Sequence, residues 1–138
     1  MRASGNQIVH VVDDDNDVRN STLALLKASG IAASGYASGG EYLENLDSNS
    51  ANGGCLLLDL HMANVSGFQL LDILQKQAVR IPVIVFSGRP DSLSNDLAHR
   101  PGVTAILQKP AAPADLIALV RRILVQIAAQ SPSPPRPG

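Results

Sequence analysis

The feature that most constrains this chain is a series of short, nearly continuous apolar runs rich in β-branched residues. They lie at Ile8 to Val12, Ile31 to Tyr36, Cys55 to Leu58, Pro82 to Phe86 and Val103 to Leu107. A strand with one wet face alternates apolar and polar residues, whereas a strand covered on both faces does not. Four of the five runs are of the covered kind; the run from Ile31 is diluted by Ala, Ser and Gly. Covered strands need helices above and below, and amphipathic stretches stand between the runs. Residues 17 to 29 put Val18, Thr22, Leu25 and Leu26 on one helical face and stop at Gly30, which suits a left-handed cap. Residues 39 to 47 form a short helix with Tyr42, Leu43 and Leu46, and Ser66 caps a third with Leu70, Leu71 and Leu74 on one face. A thin fourth pattern at 91 to 100 ends at Pro101, and Pro113 opens a fifth helix marked by Ile117, Val120, Leu124 and Ile127. Five alternations of strand and helix predict a doubly wound α/β fold, a five-stranded parallel sheet with five helices joined by right-handed crossovers.

A length of 138 residues suits one domain, and 45% hydrophobic against 17% charged residues supplies a core. The expected boundaries are an N-terminal extension at 1 to 6, the domain at 7 to 129, and a tail at 130 to 138 that holds four of the nine prolines and reads as disordered or as the start of a linker. Eleven basic against twelve acidic residues leave no positive excess to neutralise a nucleic-acid backbone, so direct nucleic-acid binding by this segment is not expected. Neither an apolar run of membrane-spanning length nor an apolar signal core at the polar N-terminus stands in the sequence, so no membrane association is expected. Cys55 has no disulfide partner and no zinc-type spacing around it. A reducing, cytoplasmic setting is the expectation.

In open α/β sheets, ligands bind beyond the carboxyl ends of the strands. The residues there are Asp13, Asp14 and Asp15 after the first strand, Asp59 after the third, Ser87 and Gly88 after the fourth, and Lys109 and Pro110 after the fifth. Neighbouring strands would gather Asp13, Asp14 and Asp59, and like charges so placed raise a pKa or call for a cation. An oxygen-only cluster suits Mg²⁺. Asp59 closes an apolar CLLLD run, where an unpaired carboxylate is costly, and it is the natural nucleophile toward phosphorus. Lys109 and the cation would offset the charge, and Ser87 could donate to a phosphoryl oxygen. Asp15, Asn16 and Asp17 read as well as solvated-turn or helix-cap residues as they do as members of the site, and His10 and Cys55 read as packing residues.

VVDDD at 11 to 15, LLLDLHMANVSG at 56 to 67, VIVFSG at 83 to 88 and LQKP at 107 to 110 together resemble the receiver domain of two-component response regulators, most closely those of nitrogen-fixation-type regulators. The intervals also resemble that family's: 45 residues from Asp14 to Asp59, 28 to Ser87 and 22 more to Lys109. The resemblance implies a (βα)5, flavodoxin-like three-layer sandwich in which Asp59 accepts a phosphoryl group from a sensor histidine kinase or phosphotransfer protein. It implies Mg²⁺, with Mn²⁺ as a substitute, held by Asp14 directly, Asp13 through water, Asp59 and the backbone carbonyl of His61. Ser87 matches the switch hydroxyl and Lys109 the family lysine, with a cis bond before Pro110; His61 and Arg89 match positions that tune dephosphorylation. The fourth helix, fifth strand and fifth helix would form the face that regulates an output domain, a downstream protein or a second copy of the chain. Such a domain is not a turnover enzyme, although it promotes its own phosphorylation and dephosphorylation.

The chain departs from the family pattern at Ile106, where an aromatic is usual, at Ala63 in place of a proline, and at Ala111 in place of an aromatic. A haloacid-dehalogenase-type phosphatase could use Asp13, Asp15, Ser87 and Lys109, but it would leave Asp59 without a task and lacks a later acidic pair. A receiver-like module that binds partners without phosphorylation is the third reading. An EF-hand loop fails, because Val18 stands where glycine is needed and Ala24 where a bidentate Glu belongs.

Overall fold

The computed structural model describes residues 7–45, 54–59, 67–77, 81–87, 102–109 and 111–130. In chain order these form β1 (Val9–Val12), α1 (Asn16–Ala28), β2 (Ala33–Tyr36), α2 (Gly39–Glu44), β3 (Cys55–Asp59), α3 (Gly67–Lys76), β4 (Val83–Ser87), β5 (Val103–Gln108) and α4 (Pro113–Gln130). The strands form one sheet in the order β2-β1-β3-β4-β5, with every pairing parallel. The doubly wound expectation is met. The helix expected at 91 to 100, the extension at 1 to 6 and the tail from 131 lie outside the described residues; α4 runs to Gln130, one residue into the stretch assigned to the tail.

Alternate strand residues feed two separate cores, which is why the runs carry no polar alternation. Val9, Val11, Cys55, Leu57 and Ile84 pack with Leu26, Leu116, Val120 and Ile123 from α1 and α4. Val12, Leu56, Leu58, Val83 and Val85 pack with Tyr42, Leu70, Leu71 and Leu74 from α2 and α3. All residues of β1 and β3 are buried, whereas β2 at the sheet edge has none that is fully buried. That explains the dilute second run: an edge strand has less surface to cover, and Ala33, Ser34 and Gly35 suffice.

The turn from α1 to β2 shows how Gly30 ends a helix. It adopts φ 81°, the Gly30 amide donates to the Lys27 carbonyl at 3.0 Å, and the Ile31 amide donates to the Leu26 carbonyl at 2.9 Å. This Schellman arrangement also packs Ile31 against Leu26 in the core, so Ile31 acts as a hydrophobic lock ahead of the strand rather than as its first residue. Before β3, Gly54 passes so close to β1 that an added Cβ would lie 2.1 Å from the Ile8 carbonyl oxygen. Only glycine lets the chain enter the sheet there.

Candidate functional site

Register builds the site. Val12 pairs with Leu58, Asp59 with Phe86, and Ser87 with Gln108. One residue beyond these pairs stand Asp13 and Lys109, so the carboxyl ends of β1, β3 and β5 deliver two carboxylates and an ammonium to one edge. Strand alternation gives Asp13, Asp59 and Lys109 the same parity as Val11, Leu57 and Leu107, which face α1 and α4.

Ligand oxygens of Asp13, Asp14 and Asp59 all lie within 4.8 Å of one another. Asp13 and Asp59 are buried, at 2% and 7% exposure, while Asp14 faces solvent and keeps the cluster open. Lys109 Nζ stands 3.2 Å from Asp13 Oδ2 and 3.7 Å from Asp59 Oδ2, and 5.0 Å from the centre of the Phe86 ring. The aromatic face holds the ammonium alongside the acids by a cation–π contact. Among the described residues, three carboxylates against this ammonium leave two negative charges in surplus at the cluster. The donors are oxygens only, and one acid opens to water; this set fits a hard divalent cation such as Mg²⁺, which keeps part of its hydration.

Asp13 is fixed by its neighbours. Its amide donates to the Tyr36 carbonyl at 3.1 Å, and its Oδ1 accepts the Asp15 amide at 2.9 Å. Asp15 takes the cap role: its Oδ1 accepts the amides of Asp17 and Val18 at 3.0 and 3.1 Å, opening α1. Ser87 ends β4 as expected, but its side chain lies outside the description, as do His61, Gly88, Arg89, Ala63 and Pro110, so the His61 carbonyl and the bond before Pro110 stay expectations. Ile106 is half-buried and packs against the α2 and α3 core. Ala111 leaves a groove of about 660 Å³ between α1 and the start of α4, lined by Val18, Leu25, Phe86, Lys109 and Leu116.

His10 and Cys55 are packing residues. Burial pushes the Cys55 thiol up to about 12, which leaves it unreactive at neutral pH. His10 is 3% exposed, its Nδ1 lies 3.1 Å from the Tyr36 hydroxyl, and Tyr42 meets it edge-on. Burial raises the Tyr36 hydroxyl and takes Tyr42 to about 12; the buried Tyr42 hydroxyl has no hydrogen-bond partner among the described residues. Two neighbours of the acids were not anticipated: Phe86 beneath Lys109, and Arg19, whose Nη1 donates to the Asp13 carbonyl at 2.8 Å. The apolar VIVF run hid the first, and only the glycine inside β2 hinted at the second.

The chain matches the response regulator receiver domain family over residues 9–121. It is 35% identical to the transcriptional regulatory protein FixJ of Azorhizobium caulinodans over 122 residues, 88% of this chain and 57% of that protein. It is 34% identical to TdiR of Thauera aromatica over 116 residues, 84% of this chain and 50% of that protein. The chain thus spans about half the length of the curated relatives it matches. The crystal structure of FixJ-N superposes with a TM-score of 0.75 at 27% identity, covering 96% of this chain and 98% of that one. A CheY-like receiver domain from Methanospirillum hungatei shares the fold, with a TM-score of 0.80 at 23% identity, over 91% of this chain and 98% of its own. No helix among the described residues is long and apolar enough to cross a membrane.

Proposed function

The chain belongs to the response regulator receiver domain family of two-component systems, and from that premise we propose that Asp59 is its phosphoacceptor, with a histidine kinase or phosphotransfer protein as donor. A carboxylate oxygen of Asp59 attacks phosphorus, the P–N bond of the donor phosphohistidine breaks, and the imidazole leaves as an acyl phosphate forms. The observation that carries this reading is the position of Lys109 Nζ, 3.7 Å from Asp59 Oδ2 and 3.2 Å from Asp13 Oδ2. It neutralises part of the charge on the attacking carboxylate and stands ready to pair with the phosphoryl group that replaces it.

Asp13, Asp14 and Asp59, with the His61 carbonyl, would hold Mg²⁺, or Mn²⁺ in its place. When bound, the metal supplies charge neutralisation to the phosphoryl oxygens. Ser87 donates its hydroxyl to a phosphoryl oxygen, and the response passes to residues 91–100, β5 and α4, the face presented to an output domain, a downstream protein or a second copy. In the phosphatase alternative Asp59 is idle; its place beside Lys109 and the acidic pair supports the receiver instead. The relatives' roles as transcriptional regulators suggest an output of that kind for the whole protein.

Incubation with Mg²⁺ and acetyl phosphate, followed by intact mass, tests the assignment. One added phosphoryl group, lost in Asp59→Asn, is the expected result. Labelling that survives Asp59→Asn, or turnover that depends on Asp13 and spares Asp59, would overturn it.

A further inference from the structure

Asp13 is held at four points, and three belong to the sheet, the turn and the lysine already described. The fourth comes from a helix. Arg19, half-buried in α1, sends Nη1 to the Asp13 carbonyl at 2.8 Å while Nη2 donates to Asn16 Oδ1. Its guanidinium therefore bridges the end of β1 and the start of α1 across the bend that carries the acidic pair. The Asp13 carbonyl is part of the peptide plane shared with Asp14. A donor fixed on that oxygen limits rotation of the plane, and with it the relative aim of the two carboxylates.

The sheet makes room for this side chain. Gly35 in β2, paired with Val11 of β1, interrupts a strand in which a β-branched residue would be favoured by propensity alone. A Cβ at Gly35 would lie 3.3 Å from both Cγ and Cδ of Arg19 and 2.6 Å from Leu23 Cδ1. The absent side chain leaves room for the Leu23 methyl, which is the nearer, and for the Arg19 stem beside it. Gly35 thus helps to seat the planar donor, in a space that Arg19 shares with Leu23.

We propose that Arg19 is a positioning residue for the divalent cation, seated over Gly35 so that the Asp13–Asp14 peptide keeps both carboxylates turned toward one ion. The proposal rests on the reading of the acidic cluster as the Mg²⁺ site of a phosphoacceptor. Residues that orient metal ligands without touching the metal typically contribute ~10-fold or more in affinity. Arg19→Met keeps an apolar stem and removes both donor nitrogens; Arg19→Lys keeps the charge on one donor nitrogen in place of the planar pair; Gly35→Ala leaves Arg19 intact and crowds both Leu23 and the Arg19 stem.

The test is Mg²⁺ titration of the full chain by calorimetry or amide chemical shifts, with urea unfolding in parallel and phosphorylation by acetyl phosphate measured against Mg²⁺ concentration. Arg19→Met should weaken Mg²⁺ binding about tenfold, while phosphorylation at saturating Mg²⁺ returns to within about twofold of the parent. Arg19→Lys should recover part of the affinity, and Gly35→Ala should weaken binding in the same direction with the guanidinium still present. Unchanged Mg²⁺ affinity in Arg19→Met and Gly35→Ala would overturn the proposal, as would a lower saturating rate at unchanged affinity. If the parent chain binds no Mg²⁺, or takes no label on Asp59, the underlying reading falls with it; if the parent binds and labels normally, a negative result sinks the role of Arg19 alone.

Discussion

Replacing Lys109 with methionine isolates the electrostatic part of the site, because Met keeps an unbranched apolar stem over the Phe86 ring and removes the ammonium. At an effective dielectric of ~20, a unit charge pair at the observed 3.2 Å is worth about 5 kcal/mol and one at 3.7 Å about 4.5 kcal/mol. Those are gross values. The Lys109 side chain keeps 23% of its exposure, while the Asp13 and Asp59 side chains keep 3% and 9%. Water therefore reaches the ammonium more easily than the acids, and the loss should fall between the ~0.2–1 kcal/mol of exposed pairs and the ~3–5 kcal/mol of broken buried pairs. A value of about 2 kcal/mol lowers the urea midpoint by roughly 1 M for a domain of this size. Without the lysine, the negative surplus at the cluster rises by one, so Mg²⁺ should bind more tightly and narrow the gap to the parent, by about 1.4 kcal/mol for each tenfold gain in affinity at saturating Mg²⁺. The assay is urea unfolding followed by circular dichroism with and without Mg²⁺. Equal losses in both conditions would refute the electrostatic account and assign the effect to packing on Phe86, and no loss at all would refute the pairing.

Gly54→Ala should cost about 1–3 kcal/mol, because its Cβ would meet the Ile8 carbonyl oxygen at 2.1 Å, whereas Gly40→Ala in α2, with its nearest neighbour at 3.8 Å, should be neutral or stabilising; thermal melts of the two compare crowding with helix propensity directly. Asp15→Ala removes the α1 cap and should cost about 1 kcal/mol in chemical unfolding while Asp59 labelling persists, since Asp15 caps the helix rather than serving the cation. Tyr42 and Cys55 are both raised to about 12, above their ordinary values near 10 and 9, so their contribution is fully present below pH 9 and declines toward pH 12 as the unfolded chain releases protons that the folded chain retains. Tyr42→Phe discards a hydroxyl that has no partner among the described residues, so unfolding free energies should be no lower than the parent at pH 7 and should fall less steeply above pH 10.

The parts of the fold that could be read in advance are those where burial leaves a one-dimensional trace. VHVV and CLLLD lie between two cores, so apolar residues at every position encode two-sided coverage, and the strand ends then mark the site. The acid at position 59 stood out because a carboxylate ending such a run needs compensation, and Lys109 stands 3.7 Å from it. Edge strands leave a weaker trace: β2 satisfies its one inner flank with small residues, so its start was placed two residues early, at the lock formed by Ile31. Arg19 left no pattern of its own because it binds a backbone carbonyl, and any residue supplies one of those. The His10, Tyr36 and Tyr42 cluster joins β1, β2 and α2 by sideways contacts between rings, which neither helical nor strand periodicity records.

The acids and the ammonium stand at the carboxyl ends of β1, β3 and β5, with Asp59 46 positions after Asp13 and Lys109 50 positions after Asp59. No fragment that ends before the last strand contains the full set. A chain cut short before Lys109 keeps the acids and loses their cation, so the complete cluster assembles only from a polypeptide that has passed its fifth strand.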